Sequence, residues 1–483
     1  MKKSISKNYI YNLLFQILTV IFPLITTPYL SRVMGAENIG IFSYTLSVTT
    51  YFVLISSLGT NLYGQREIAY NQDNKKKQSD IFNKLFSIKI FLSFISCILF
   101  LIYILISKKY LTLYLIWILE IISSLFDISW FFQGIEEFKK IIYKNLLVKI
   151  LSLILIFIFV KQKSDLNIYI FIYCLTTFMG NLSFWLNLNK YIDFKFTFLS
   201  AHDFWKLFKV LLIFFIPQVA TKIYTLLDKT MIGIFISDKS QVGYYEQSQK
   251  IIYLLLTILT SLGTIMMPRI ATLVSKKEND KISDMIEKSF DFVFMIGIPL
   301  ALGICMISKY LIPLYLGVGY DTSIYLLRYM SPIILIVGLS NITGIQLLIP
   351  LGKQKQYNIS VVTGAIINLI FNIILIMNFG VYGAVISSVF SELIIFIIQL
   401  LLVKKNLKLH LNFKNIFKYI FAAILMIISY YLLLIFLNNL NDIFIMIVII
   451  ILMPLVYFLS LILLKENNIM FLINKLVRRI HRK

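Results

Sequence analysis

Six polar side chains share one face of the segment 208–236, which is otherwise apolar. If the segment is a helix, they fall within an arc of about 120° at about 100° per residue; they are Gln218, Thr221, Lys222, Thr225, Asp228 and Lys229. A charge in apolar surroundings is costly unless it meets water, an opposite charge or a polar ligand. The pattern therefore predicts one face that suits lipid or packed helices and another that suits water or a polar ligand.

Two further segments carry polar faces of the same kind. In 8–30, Gln16 lies on a polar face without ions, and Arg32 follows the end of this segment. In 241–268 the polar face comprises Glu246, Gln249, Lys250, Tyr253, Thr257, Thr260, Ser261 and Thr264. Three such faces together predict a hydrated cavity. Internal pairing is the open alternative, since Glu246 can pair with Lys250 one turn away and Asp228 with a neighbouring lysine.

Several carboxylates within apolar segments have more than one interpretation. Asp228, Glu246 and Glu392 are candidates for carrying a coupled proton or sodium ion. For Glu120 three roles stay open: proton carrier, part of a cavity wall, or structural partner of another residue. For Lys89 and Asp127 we expect structural pairing.

The sequence lacks the patterns that a cofactor-dependent or catalytic protein needs. The three histidines are isolated from other metal ligands, and no Gly-rich phosphate-binding loop is present. The apolar segments are joined by short connections, which leave no room for a soluble catalytic domain. We therefore expect no metal, no cofactor and no enzymatic activity.

Fourteen apolar stretches of spanning length must position these residues. A bilayer core about 30 Å thick requires about 20 apolar residues per helix, and the chain is 59% hydrophobic and 14% charged. The stretches cover 8–30, 39–63, 81–106, 110–132, 141–160, 166–189, 208–236, 241–268, 284–307, 321–348, 356–378, 380–403, 415–437 and 441–464. We predict an all-α, multi-pass membrane protein of about fourteen helices.

The distribution of cations predicts the orientation of these helices. With the N-terminus on the cytoplasmic side, 34 of the 46 Lys and Arg residues lie in or next to inner connections and 7 in outer ones. Positive loops remain cytoplasmic, so both termini are predicted inside the cell membrane. The net charge of +23 is then a topological signal, and nucleic acid is not an expected partner.

Five fragments of the chain resemble one family. They are PYLSRVMGAENIGIFSY from Pro28, LLDKTMIG from Leu226, VGYYEQSQKI from Val242, TGAIINLIFN from Thr363 and GVYGAVISSVFSE from Gly380. Together they resemble bacterial Wzx-type flippases of O-antigen or capsule repeat units, within the multidrug/oligosaccharidyl-lipid/polysaccharide exporter superfamily. The resemblance implies a six-helix lobe in 1–200, a second in 201–405, a central cavity, and two further helices with a basic tail in 406–483. Weak internal similarity agrees with it, since Gly40–Tyr44 parallels Gly243–Gln247.

The resemblance also implies a function. A protein of this family moves an undecaprenyl-diphosphate-linked oligosaccharide across the cytoplasmic membrane by alternating access, with membrane lipids and the polysaccharide polymerase machinery as partners. The cations expected to meet the diphosphate are Arg32, Lys222, Lys229 and Lys250. Three alternatives stay open: a peptidoglycan-precursor flippase, a cation-coupled drug exporter of the same superfamily, and a membrane glycan polymerase.

Overall fold

The computed structural model describes residues 5–406, 414–437, 440–466 and 468–470. Within these ranges, the side chains of 5–21, 216–218, 220, 221, 223, 224, 405, 406 and 414 are outside the description. All regular elements of the described residues are helices. The predicted all-α class is confirmed.

Sixteen α-helices follow one another along the described chain. They are α1 (Ile5–Ser57), α2 (Thr60–Tyr70), α3 (Lys75–Ser107), α4 (Leu111–Phe126), α5 (Ser129–Gly134), α6 (Phe138–Phe159), α7 (Leu166–Ser183), α8 (Ala201–Phe235), α9 (Ser240–Ser275), α10 (Asn279–Tyr315), α11 (Asp321–Met330), α12 (Pro332–Asn341), α13 (Gln354–Phe379), α14 (Val381–Asn406), α15 (Lys414–Leu437) and α16 (Asp442–Leu463). Short 3₁₀ segments lie at Lys163–Asp165 and Trp185–Lys190, and a π-helix at Ile342–Leu348.

The membrane spans agree with the predicted number. Twelve helical stretches of the described residues are long and apolar enough to cross a membrane. The first of these contains the kink at Gly35, where φ is 75°, so it comprises two helices. Helix α8, with 35 residues, is a further element of spanning length. About fourteen membrane helices result, as predicted.

Three predicted spans are interrupted for local reasons. Span 39–63 breaks at Gly59, which has a φ of 75° that favours glycine. Span 110–132 breaks at Asp127, whose extended backbone ends α4. Span 321–348 breaks before Pro332, because proline has no N–H to continue the hydrogen bonds of α11.

The chain forms two compact units, Met1–Gly243 and Tyr244–Lys483. The first has a core of α1, α3, α4, α6 and α7 around the buried Trp117, whose indole N–H donates to Thr45 Oγ1 at 3.0 Å. Helix α8 packs on α1 and α2 in this unit. In the second unit α10, α15 and α16 enclose Tyr419 and Tyr457. The lobe boundaries 1–200, 201–405 and 406–483 stay a prediction.

Two of the fragments that carry the resemblance form a tight helical hairpin in the second unit. Helices α13 and α14 meet at Gly380, where φ is 60°. A Cβ on Gly383 would collide with the Leu375 carbonyl oxygen, so only glycine permits this approach. Ser387 Oγ donates to the Asn368 carbonyl at 3.0 Å, and Asn372 Nδ2 donates to Asn368 Oδ1 at 3.1 Å. The first of these bonds joins α14 to α13, and the second orients Asn368 within α13.

Candidate functional site

The polar face of α8 is divided along the helix axis. Lys222 is exposed, and its carbonyl accepts a hydrogen bond from Thr225 Oγ1 at 3.0 Å. Asp228 is 4% exposed, and Lys229 is half-buried. Six residues of α-helix correspond to about 9 Å, so one end of the face is accessible and the other end is packed.

Contacts with α1 fix the packed end of α8. Thr230 Oγ1 lies 2.9 Å from Ser47 Oγ and 3.0 Å from the Tyr51 hydroxyl. One turn further, Gly233 lies under the ring of Tyr44, where a Cβ would have no room. These contacts hold the rotation of α8 against α1, and they therefore determine which side of α8 presents Lys222.

The ammonium group of Lys239 closes the end of α8. Its Nζ donates to the carbonyls of Gly233 at 2.6 Å and Ile236 at 2.8 Å. It also lies 5.3 Å from the centre of the Tyr44 ring. A cation at a helix C-terminus compensates the helix dipole, so Lys239 has a structural role there.

Arg32 lies exposed on the first half of α1, one turn before the kink at Gly35. Hydrogen bonds to the connection between α6 and α7 hold this turn: Tyr29 donates to the Val160 carbonyl at 2.6 Å, and Asn38 Nδ2 to the Lys163 carbonyl at 2.8 Å. The structure therefore places Arg32 and Lys222 on different helices of the first unit.

On α9, in the second unit, Glu246 and Lys250 form the ion pair that the sequence analysis left open. Lys250 Nζ lies 3.1 Å from Glu246 Oε1, with 10% of the Glu246 side chain and 38% of the Lys250 side chain exposed. Glu246 is buried, whereas more than a third of the Lys250 side chain is exposed. An anionic ligand that reached Lys250 would therefore compete with the Glu246 carboxylate for its ammonium group.

The rest of the polar face of α9 consists of neutral groups, of which Gln249 is buried and Tyr253, Thr257, Ser261 and Thr264 are exposed. Tyr253 is 42% exposed, and its hydroxyl accepts from Gln249 Nε2 at 3.4 Å. Thr257 and Ser261 donate to the carbonyls of Leu254 at 2.6 Å and Ile258 at 2.8 Å. Such hydroxyls are satisfied by their own helix, and each oxygen can still accept a hydrogen bond from a sugar hydroxyl.

Three other predicted site residues are less informative. The side chains of Gln16 and Gln218 lie outside the described residues. Glu392 is half-buried on α14. Their proposed roles in ligand binding and ion coupling stay predictions.

A buried polar cluster in the first unit was only partly predicted. Lys89 is 2% exposed, and its Nζ donates to the main-chain oxygen of Asp127 at 2.7 Å. The expected association of these two residues is thus present, with the carbonyl as the acceptor. Lys144 Nζ donates to Asn181 Oδ1 at 2.7 Å, and Asn181 Nδ2 to the Ser123 carbonyl at 3.0 Å. In the sequence, the signal for the Lys89 interaction and for the Lys144 interaction was the same: a lysine inside an apolar stretch.

Replacing Lys89 by methionine should destabilise the protein by about 1–3 kcal/mol, because a buried carbonyl loses its donor. The measurement is thermal unfolding of the purified protein in detergent. The matched control is Lys75→Met on the same helix, since Lys75 forms an exposed ion pair with Asp193 at 2.8 Å and surface pairs contribute little. Equal stability of the two variants would contradict this role of Lys89.

A second buried polar group, in the second unit, was not predicted. Within the π-helix, Thr343 Oγ1 donates to Gln399 Oε1 at 2.8 Å, and Gln399 Nε2 donates to Ser360 Oγ at 3.1 Å. Single-turn π-helices occur frequently at functional sites. Gln399, a polar residue inside the predicted span 380–403, was the signal available in the sequence.

Known proteins resemble this chain over most of its length. The chain is 28% identical over 410 residues to the "Putative O-antigen transporter" of Escherichia coli (strain K12), covering 84% of this chain and 98% of the relative. It is 25% identical to the protein of the same name in Shigella dysenteriae, covering 80% and 96%. The fold matches the inward closed conformation of the lipid II flippase MurJ with a TM-score of 0.73 at 16% identity, covering 93% of this chain and 98% of that one.

A family model described as "Polysaccharide biosynthesis protein" matches residues 5–274, which is more than half of the chain. The matched region includes α8, with its exposed Lys222, and the polar face of α9. The resemblance drawn from the five sequence fragments is confirmed. This multi-pass membrane protein belongs to the polysaccharide biosynthesis protein family.

Proposed function

We propose that this protein is a flippase that moves an undecaprenyl-diphosphate-linked oligosaccharide repeat unit across the cytoplasmic membrane by alternating access. Family membership and the two O-antigen transporters that match most of the chain support this proposal. The observation that carries it is an exposed lysine, Lys222, within α8, a helix of spanning length that contains the predicted span 208–236. An exposed charge at such a position is a functional hypothesis by default.

The chemistry of the substrate matches the polar faces of both units. A diphosphate needs fixed cations in a low-dielectric slab, and Lys222, Lys229, Arg32 and Lys250 are the proposed ligands. Tyr253, Thr225 and the exposed hydroxyls of α9 offer hydrogen-bonding groups to sugars. The polyprenyl tail remains in lipid throughout.

Membrane potential can drive the transfer of this substrate. An inside-negative membrane potential drives negative charge outward. The gain is about 2.3 kcal/mol per charge per 100 mV. A coupled ion is therefore not an energetic requirement. Asp228, Glu246 and Glu392 are the proposed carriers if coupling to protons or sodium ions occurs.

The direct test is transport by the full chain in proteoliposomes. Three substrates are compared: an undecaprenyl-diphosphate-linked oligosaccharide, a lipid-linked peptidoglycan precursor, and a cationic dye. We expect the first to be translocated fastest. Preference for the peptidoglycan precursor or the dye would replace the proposal with one of the alternatives. Extension of the glycan by the purified protein would indicate a polymerase.

We also propose that both termini are cytoplasmic and expect a definite labelling pattern. The test uses a background in which Cys97, Cys174 and Cys305 are replaced. Val318→Cys, in the fully exposed turn after α10, should react with an impermeant maleimide on intact cells. Gln354→Cys, exposed at the start of α13, should react only after permeabilisation. The reverse pattern would invert the proposed topology.

A further inference from the structure

The connection between the 3₁₀ segment Trp185–Lys190 and α8 lies along one face of α3. The main-chain N–H groups of Asp193 and Lys195 donate to Ser79 Oγ at 3.0 Å and Asn83 Oδ1 at 3.1 Å. Ser87 Oγ donates to the carbonyl of Thr197 at 2.6 Å. The bonded residues are four apart on α3 and two apart on the connection. Four helical residues rise about 6 Å and two extended residues about 6.6 Å, so each bonded residue of α3 lies beside its partner on the connection. Polar side chains of α3 thereby satisfy the extended backbone.

This connection, residues 191–200, is called the strap below, and its Leu199 helps to line a cavity of about 280 Å³ in the first unit. Leu199 at the end of the strap, α3 and the first turns of α8 line it. Ser200 caps α8, because its Oγ accepts the N–H of Asp203 at 3.1 Å. The cavity walls are thus held by hydrogen bonds that do not depend on any ligand.

The lining changes from charged to apolar along the cavity. On α8, Asp203 and Lys206 are followed by Leu207 and Val210, and Val210 lies about 10 Å beyond Asp203 along the helix axis. Predicted membrane spans begin at 208 on α8 and at 81 on α3, so the charged end lies at the depth of lipid headgroups and the apolar end at the depth of acyl chains. This arrangement is complementary to an amphiphile.

The charges in the cavity are balanced in sign. Two carboxylates and two ammonium groups line it: Asp80, Asp203, Lys84 and Lys206. Lys84 pairs with Asp80 at 2.8 Å, whereas Lys206 forms no ion pair among the described side chains. A ligand that carries one phosphate and one ammonium group matches this set better than an anion does. A cavity of this volume is below the range of about 300–1,000 Å³ for drug-sized ligands, so a headgroup fits and an oligosaccharide does not.

We propose that this cavity binds the headgroup of a zwitterionic aminophospholipid, with the phosphate at Lys206 and the ammonium group at Asp80 and Asp203. The site is separate from the residues proposed to meet the transported glycan. It provides the first unit with a bound membrane lipid at the point where α3, the strap and α8 meet.

The test is native mass spectrometry of the full chain in detergent. It is titrated in turn with a phosphatidylethanolamine, a phosphatidylglycerol with the same acyl chains, and undecaprenyl phosphate. The wild type should bind the phosphatidylethanolamine most tightly. Asp80→Asn and Lys206→Gln should each weaken that binding by about tenfold, the effect of one lost charged hydrogen bond. Asp193→Asn and Lys75→Gln remove the same charges from an exposed pair outside the cavity and should leave binding unchanged.

The single variants distinguish the possible ligands. Tighter binding of phosphatidylglycerol than of phosphatidylethanolamine by the wild type would indicate a site for an anionic headgroup and would overturn the proposal. Tightest binding of undecaprenyl phosphate, weakened by Lys206→Gln, would assign the cavity to the lipid carrier instead. Equal binding by the wild type and all four variants would show that the cavity is not a lipid site. Thermal unfolding of each variant confirms that it is folded.

Discussion

Replacing Lys222 by alanine is expected to reduce transport of the lipid-linked glycan by about tenfold or more. Lys222 is an exposed cation on a membrane-spanning helix, and a hydrogen bond from a charged group contributes about 1.5–3 kcal/mol. Each 1.4 kcal/mol corresponds to a factor of ten. The measurement is the initial rate of translocation in proteoliposomes at matched protein density.

Folding of this variant should be nearly unchanged, because substitutions of exposed side chains usually shift stability by less than about 0.5 kcal/mol. Lys222→Arg keeps the charge and should retain most of the transport rate. Lys209→Ala removes an exposed lysine from the first turns of the same helix and serves as the matched control. If Lys222→Ala transports like the wild type while inserting normally, Lys222 does not bind the diphosphate.

Replacing Gly243 by valine is expected to cause the largest loss of stability. Gly243, near the start of α9, and Gly40, in the second half of α1, face each other across a backbone-to-backbone contact. A Cβ on Gly243 would collide with the Ala36 carbonyl oxygen and lie 3.2 Å from the Gly40 nitrogen. A Cβ on Gly40 would collide with the Lys239 carbonyl oxygen. Overpacking costs about 1–3 kcal/mol and occasionally more.

We expect Gly243→Val to reach or exceed the upper end of that range, because the colliding atoms belong to the backbone and cannot turn aside. Thermal unfolding and the monodisperse fraction on size-exclusion chromatography measure the effect. Gly303→Val on α10 is the control, since a Cβ there would meet no atom within 4 Å while the helix-propensity cost is the same. Similar stability of the two variants would show that the backbone contact between Gly40 and Gly243, within the first unit, does not contribute to stability.

The contact gives a physical reason for the internal similarity in the sequence. Gly40 and Gly243 are the first residues of the two parallel fragments Gly40–Tyr44 and Gly243–Gln247. Sequence comparison predicts that both fragments follow a polar-faced helix. The structure adds that the two glycines meet each other, so each must lack a side chain for the same reason.

The number of helices and their apolar limits could be predicted from the sequence, because the thickness of a bilayer sets how many consecutive apolar residues a spanning helix needs. The polar faces of α8 and α9 could be predicted as well, since the angle between residues on a helix is a local property. The interruptions at Gly59 and Asp127 could not, because an apolar stretch continues through both of them.

Tertiary packing decided which polar side chains are exposed and which are buried. The helical arc that holds Lys222 also holds Asp228, yet Lys222 is exposed and Asp228 is buried. An angle around a helix carries no information about which neighbouring helix covers which turn. Likewise, the sequence left open whether Glu246 pairs with Lys250. The side-chain positions in the folded chain show that it does. Sequence thus determined that polar groups lie on three helical faces, and only the packing of the helices determined which of the described groups are exposed and which are buried.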